Sequence, residues 1–305
     1  MTAMTIRRRA ALALGALVVA GCAPDTDTAR PTLTAPAPQP SPSISSVRPA
    51  PVEPSATSAS TTPAPSSSAT SGHLSRDDIV ARFQGQSPTQ WGPEVDGVVL
   101  RHEQAPVVLT FDACGGRHGS GVDDDLLAAL SDTGTPATLF VNARWVESNP
   151  GTVRDLIADP LFELANHGTR HLPLSVTGEK AYGIPGTASV AEVYDEVAGA
   201  QELLTGLLGE APRFFRSGTA HYDDVAVTIA QTLGLQCINF DVNTDAGATF
   251  SASQVRTATL QARAGSICLG HFNRPGSGTA QGIRRAIPAL LEEGLTFARL
   301  GDVLP

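Results

Sequence analysis

Positive charge is scarce in this chain. Lys and Arg total 21 against 30 Asp and Glu over 305 residues, a formal net charge of -9. No basic stripe with interleaved aromatics occurs, and aromatics are only 5% of the residues, which excludes the electrostatic and stacking footprint of a nucleic-acid binder. Long apolar runs are lacking too. The stretch from Ala10 to Ala20 is shorter than the about 20 residues a spanning helix needs. There are four cysteines, Cys22, Cys114, Cys237 and Cys268, and no two are spaced as a metal knuckle. No repeat of the kind that builds an anchoring module is present.

The N-terminus has the form of a targeting segment. Arg7, Arg8 and Arg9 precede the short apolar run, which ends in VVAGC. That ending resembles a bacterial lipobox, so residues 1–22 are read as a lipoprotein-type signal, with Cys22 lipidated and the chain exported and lipid-anchored. An ordinary cleaved signal peptide is the alternative. Residues 23–72 are mostly Pro, Ser, Thr and Ala, as in PAPQPSPS and SSSATSG. Such a composition buries too little apolar surface to offset its ordering entropy, so a disordered linker is expected. Residues 73–105 read as an ordered lead-in with a short helix at RDDIVARF, packing on the main domain without a chemical part. Membrane contact is expected only through the lipidated N-terminus, and the protein is expected to be a monomer.

Residues 106–305 alternate between strand-like and helix-like runs. The strands are VVLTF, ATLFVN, FELAN, RFFRS, LQCINF, SICLGHF and LTFARL. Between them lie six helical segments, and the longest puts Val190, Val193, Val197, Leu204 and Leu208 on one face. Repeated βα units imply an α/β fold with a parallel sheet or barrel, whose active site gathers at the C-terminal strand ends. Cys237 and Cys268 fall within strands and are expected to be buried free thiols.

Ionisable groups stand at five of those strand ends. TFDACGG carries Asp112 and ANHGTRH carries His167 and His171. FFRSG carries Arg216, NFDVNTD runs from Asp241 to Asp245, and LGH ends in His271. Two histidines four apart at a strand end point to a metal, since neutral imidazole is a common zinc ligand. The helical H-E-x-x-H pattern does not apply, because Gly168 stands where the Glu would be.

Taken in order, TFDACGG, NHGTRH, FRSGT, VNTDAG and CLGH resemble the motifs of the polysaccharide deacetylase family, also called carbohydrate esterase family four, with the NodB-like domain. The resemblance implies a distorted (β/α)7 barrel that removes acetyl groups from a sugar polymer such as peptidoglycan or an N-acetylglucosamine polymer. It also implies one divalent metal ion, Zn2+ in the first place, with Co2+, Ni2+ or Mn2+ as alternatives. By position, Asp112 becomes the general base, His167 and His171 metal ligands and His271 the general acid. Arg216 pairs with Asp112, and Asp245, or else Asp241, braces Arg216. A backbone N–H near Gly115 is expected to face the oxyanion. A glycan-binding barrel without turnover and an O-acetyl esterase remain as alternatives.

The departure lies beside Asp112. The family's motif reads T-F-D-D-G, and its second Asp is the third metal ligand, but this chain has Ala113 there. The replacement is left open between Asp112 itself and one of Asp123, Asp124 and Asp125 folding back, with His118 in the same loop also available. The other reading of the acidic trio is a helix N-cap and first turn. Cys114 is a candidate reactive thiol. As a ligand it would need the strand to continue past Ala113, and Gly115 and Gly116 argue that the strand stops. The loop LPLSVTGEKAYGIPGTAS is long, and Tyr182, His221 and Tyr222 are candidates to line a sugar site.

Overall fold

The computed structural model describes residues 74–305. The signal segment with Cys22 and the linker lie outside the described residues. Within them the architecture is α/β: a parallel sheet curled into an incomplete barrel and covered by helices. The strands follow the order Val242–Asn243, Ile267–His271, Val107–Ala113, Ala137–Val141, Phe162–Asn166, Phe214–Phe215, Gln236–Ile238 and Val98–Val99. Phe297–Ala298 adds to the foot of Val107–Ala113. All these pairings are parallel.

The Val107–Ala113 strand is buried along its whole length, as expected of a strand covered on both faces. Its residues alternate between two environments. Val107, Leu109, Phe111 and Ala113 pack with Leu126, Leu130, Ile283 and Ile287 of the covering helices. Val108 faces the barrel interior with Phe140, Ala165, Ile238 and Ile267. Thr110, also interior, satisfies its hydroxyl on the Cys268 carbonyl at 2.7 Å. This alternation runs unbroken to Ala113, and only then do Gly115 and Gly116 turn the chain, at φ of 68° and 79°.

Each of the seven anticipated strands contributes to the sheet, and the six helical segments form Asp124–Thr133, Pro150–Ala158, Val190–Leu208, Asp224–Thr232, Ala252–Thr259 and Thr279–Glu292. The helix Val190–Leu208 starts where the Ser189 side chain accepts from the Glu192 N–H and ends at the left-handed Gly209. The lead-in does more than pack. Its helix Arg76–Phe83 buries Ile79 and Phe83, and its Val98–Val99 strand pairs with Cys237 and Ile238. Just beyond, Arg101 forms an isolated antiparallel bridge to Ser266, which precedes the Ile267–His271 strand. The Arg101 guanidinium binds Asp241 and the Ser266 hydroxyl there, which gives Asp241 a structural partner at the foot of the barrel.

Candidate active site

The C-terminal strand ends open onto a cavity of about 410 Å³ lined by Asp112, Cys114, His171, His271, Tyr182 and His221, among others. Asp112 sits two residues after Thr110, so strand alternation turns it into the barrel. There its Oδ1 accepts from Arg216 Nη1 at 2.7 Å, and its Oδ2 lies 3.5 Å from His167 Nε2.

Arg216 follows the Phe214–Phe215 strand and is fully buried. Besides Asp112, it donates to the carbonyls of Ile238 and Asn239, both at 3.2 Å, and its guanidinium lies 4.1 Å from the Phe140 ring centroid. A buried cation needs such a set of acceptors, because an unpaired one would carry its whole desolvation cost.

His167 and His171 flank a tight loop built on Asn166 and Asn142. The Asn166 Oδ1 accepts from the Gly168 N–H at 2.8 Å, and Asn142 Nδ2 donates to the His167 and Gly168 carbonyls. Below the loop, the Glu196 carboxylate accepts from the backbone N–H groups of Arg170 and Leu172. Burial pushes the Glu196 carboxyl up to about 7, against the pull of those hydrogen bonds. His171 adopts a left-handed φ of 66°, a strained choice for a non-glycine residue, and the loop hydrogen bonds hold it there.

The protonation pattern of His167 follows from its neighbours. Its Nδ1 lies 2.9 Å from the Arg216 carbonyl, which can only accept, so Nδ1 carries the hydrogen. Nε2 therefore presents a lone pair, and it is buried with no hydrogen-bond partner. Burial lowers the pKa of both imidazoles, with His171 well below the ordinary range and further depressed by the nearby His167. Both rings are therefore neutral near pH 7, the state in which imidazole binds a metal. The donor atoms of His167, His171 and Cys114 all lie within 4.8 Å of one another. These residues fit a divalent ion by donor chemistry and by the orphaned Nε2.

Several sequence expectations are corrected here. Asp245 does not brace Arg216. Its Oδ1 meets His271 Nδ1 at 2.9 Å, and its Oδ2 accepts from the His271 N–H at 2.7 Å and the Thr279 hydroxyl at 2.9 Å. Burial works to raise the Asp245 carboxyl, but His271 and these hydrogen bonds outweigh it and leave the group lowered. The acidic trio serves its helix: Asp123 caps it by accepting from the Leu126 N–H, and Asp124 and Asp125 form its first turn. Neither the trio, His118 nor Asp112 belongs to the three-donor cluster, and His118 is exposed in its loop.

The strand does stop at Ala113, ahead of Gly115 and Gly116, yet Cys114 lines the cavity beside Asp112 and joins the two histidines. The Gly115 N–H is committed to the Gly119 carbonyl at 3.0 Å and does not face an oxyanion. Tyr222 is buried, its hydroxyl accepting from the Ser217 N–H, whereas Tyr182 and His221 stack edge to face at the cavity rim. Cys237 and Cys268 are buried free thiols whose pKa burial raises strongly. The lead-in supplies part of the wall through Pro93, Glu94 and Leu100. Glu196 went unread, although a carboxylate three residues after Val193 on an otherwise apolar stripe was the available signal.

Comparison with known proteins agrees with this geometry. The polysaccharide deacetylase family model matches residues 100–238. Over that segment, somewhat less than half of its length, the chain is similar to a polysaccharide deacetylase domain. The matched segment includes Asp112, His167, His171 and Arg216 and stops before Asp245 and His271. A chitooligosaccharide deacetylase from Bradyrhizobium sp. (strain ANU 289) is 28% identical over 153 residues, which is 50% of this chain and 64% of that relative's length. Two solved structures share the fold. A pseudoenzyme of carbohydrate esterase family four from Bacillus anthracis aligns with a TM-score of 0.57 at 21% identity, covering 70% of each chain. A family 4 carbohydrate esterase from Streptomyces lividans in complex with acetate aligns at 0.52 and 25% identity, covering 64% of this chain and 92% of its own.

Proposed function

We propose that this protein is a metal-dependent hydrolase that removes N-acetyl groups from a glycan, peptidoglycan or another N-acetylglucosamine polymer. One observation carries the reading: five strand ends bring a carboxylate–guanidinium pair, two neutral imidazoles and a carboxylate–imidazole pair to one cavity. The family match to a polysaccharide deacetylase supports the acetylated sugar as substrate.

His167 and His171 would hold the divalent ion, Zn2+ by preference of neutral imidazole donors. When bound there, it would supply Lewis-acid chemistry, a water acidified from a pKa of ~15.7 to about 7 and a polarised carbonyl. Asp112, fixed in orientation by Arg216, accepts the proton of the water that attacks the acetamide carbonyl. His271 gives its proton to the departing amine nitrogen as the C–N bond breaks, leaving acetate and a free amine. Asp245 fixes the His271 ring through Nδ1 and stabilises the imidazolium form by its charge. Tyr182 and His221 offer a stacked rim suited to a sugar face.

Ala113 favours a second reading, a barrel that binds glycan without turnover, in which the family's third ligand has been lost. One measurement separates the two: acetate release from N-acetylglucosamine oligomers and from peptidoglycan by the purified chain, in chelated and zinc-supplied samples. Zinc-dependent release supports the hydrolase. Binding of the oligomers without release supports the second reading, and release only from O-acetylated glycan redirects the assignment to an esterase. The proposed location is the outer face of the cytoplasmic membrane or the cell envelope, anchored at Cys22. Loss of fatty-acid labelling in Cys22→Ala tests it.

A further inference from the structure

The family's third ligand is absent at position 113, and strand geometry accounts for what stands in its place. Val107, Leu109, Phe111 and Ala113 all face the covering helices, so a carboxylate at 113 would continue that apolar row. The next position along the chain from Asp112 that lines the cavity is 114, just past the end of the strand. It holds a cysteine, fully buried, whose sulfur lies within 4.8 Å of a donor nitrogen on both His167 and His171. A second observation points independently at a ligand in this space: the His167 Nε2 lone pair is buried and makes no hydrogen bond, with the Asp112 Oδ2 3.5 Å away, while its Nδ1 is fixed on the Arg216 carbonyl.

We infer that Cys114 is the third metal ligand, giving a His2Cys site in place of the family's carboxylate and two histidines. The inference rests on the metal-dependent reading above. A thiolate carries the same single negative charge as an aspartate, so the net charge of the loaded site is kept. The donor changes from hard oxygen to soft sulfur, which biases the site toward Zn2+ and Co2+ and away from Mn2+ and Mg2+. Ligation deprotonates the thiol, and the proton is released to solvent as the metal–sulfur bond forms. Ala113 is then no sign of a lost site: the ligand stands one residue further along the chain, at Cys114.

The test uses the purified full chain, stripped of metal and titrated with Co2+. Sulfur-to-cobalt charge transfer in the near ultraviolet, alongside the visible bands of bound cobalt, is expected in the native chain. In Cys114→Ser the charge-transfer band disappears and cobalt affinity falls at least tenfold. A readout that needs no variant is the alkylation of Cys114 by iodoacetamide, followed by peptide mass spectrometry. Cobalt or zinc loading is expected to slow it at least tenfold relative to the metal-free chain. Acetate release is measured on the same samples. Bound cobalt with acetate release but no charge-transfer band, or unchanged alkylation on loading, overturns the assignment of Cys114 and leaves the hydrolase reading standing. Failure to bind cobalt or zinc at all overturns the assignment, and acetate release by the metal-free chain then decides whether hydrolysis survives without metal.

Discussion

Gly218 is the position where one added carbon tests the site most directly. A Cβ there would lie 2.2 Å from the His171 carbonyl carbon, 2.3 Å from its oxygen and 2.6 Å from its Cα. Ordinary contact begins at about 3.4 Å, so accommodating Gly218→Ala moves the His171 backbone by about 1 Å, since no flexible side-chain end is there to yield. His171 is already held at a left-handed φ, so the displacement carries its imidazole off the shared donor position. Overpacking of this kind costs about 1–3 kcal/mol, which corresponds to a Tm loss of about 2–4 °C per kcal/mol for a domain of this size. A misplacement of about 1 Å in a catalytic constellation costs on the order of 10²-fold in rate. The assay is zinc affinity by chelator competition together with kcat for acetate release, on protein whose circular dichroism matches the native chain. Gly206→Ala is the control: it lies within the Val190–Leu208 helix with nothing within 4 Å of the added carbon, and alanine there is expected to gain about 0.5–1 kcal/mol. A folded Gly218→Ala variant with native zinc affinity and native kcat would refute the placement of His171 argued here.

Three further outcomes are expected. Asp245→Asn deprives His271 of the charge that fixes its ring, and kcat is expected to fall on the order of 10³–10⁴-fold with little change in KM, as for other imidazoles so deprived; an unchanged pH–rate profile would count against the pair. Arg216→Met leaves Asp112 buried without its countercharge and is expected to cost about 3–5 kcal/mol in denaturant unfolding, whereas Arg216→Lys keeps the charge and recovers part of that loss. For the metal-free chain, burial lowers the folded-state pKa of His167 and His171 below the ordinary value of about 6.5. The unfolded chain therefore binds more protons than the folded one as pH drops through about 6.5, so stability is retained above that pH and lost below it. Thermal scans of metal-free protein check this; a Tm that holds steady or rises between pH 7 and pH 5 contradicts it.

Much of the architecture was legible because it rests on local pattern. Continuous apolar runs such as VVLTF and ATLFV mark strands covered on both faces, and the strand-end motifs follow from where such runs stop. What escaped the sequence is tertiary. Val98–Val99 and Val242–Asn243 are two residues each, too short to leave a periodic signal, and their pairing depends on the barrel around them. The partner of Asp245 was misjudged because proximity across a barrel mouth is set by sheet order, which puts Val242–Asn243 beside Ile267–His271 rather than beside Phe214–Phe215. Cys114 lies just past the end of its strand, where alternation no longer assigns a side, so only the fold places it in the cavity. Glu196 stands on the apolar stripe of its helix, but the backbone N–H groups it serves in the histidine loop are brought to it only by the fold.

The strand Val98–Val99 has a bearing on how the chain reaches its native state. It is the first strand of the parallel sheet to be synthesised, yet its register partners are Cys237 and Ile238, so it waits for one made 139 residues later (237 − 98). Closing a span of that length carries a large chain-entropy cost before any contact repays it, and pairings of such high sequence separation slow folding. The central strands from Val107 to Asn166 pair with neighbours close in sequence and can assemble first. The margin that supplies Pro93, Glu94 and Leu100 to the cavity wall then arrives last, which makes completion of the pocket a late event in the life of each molecule.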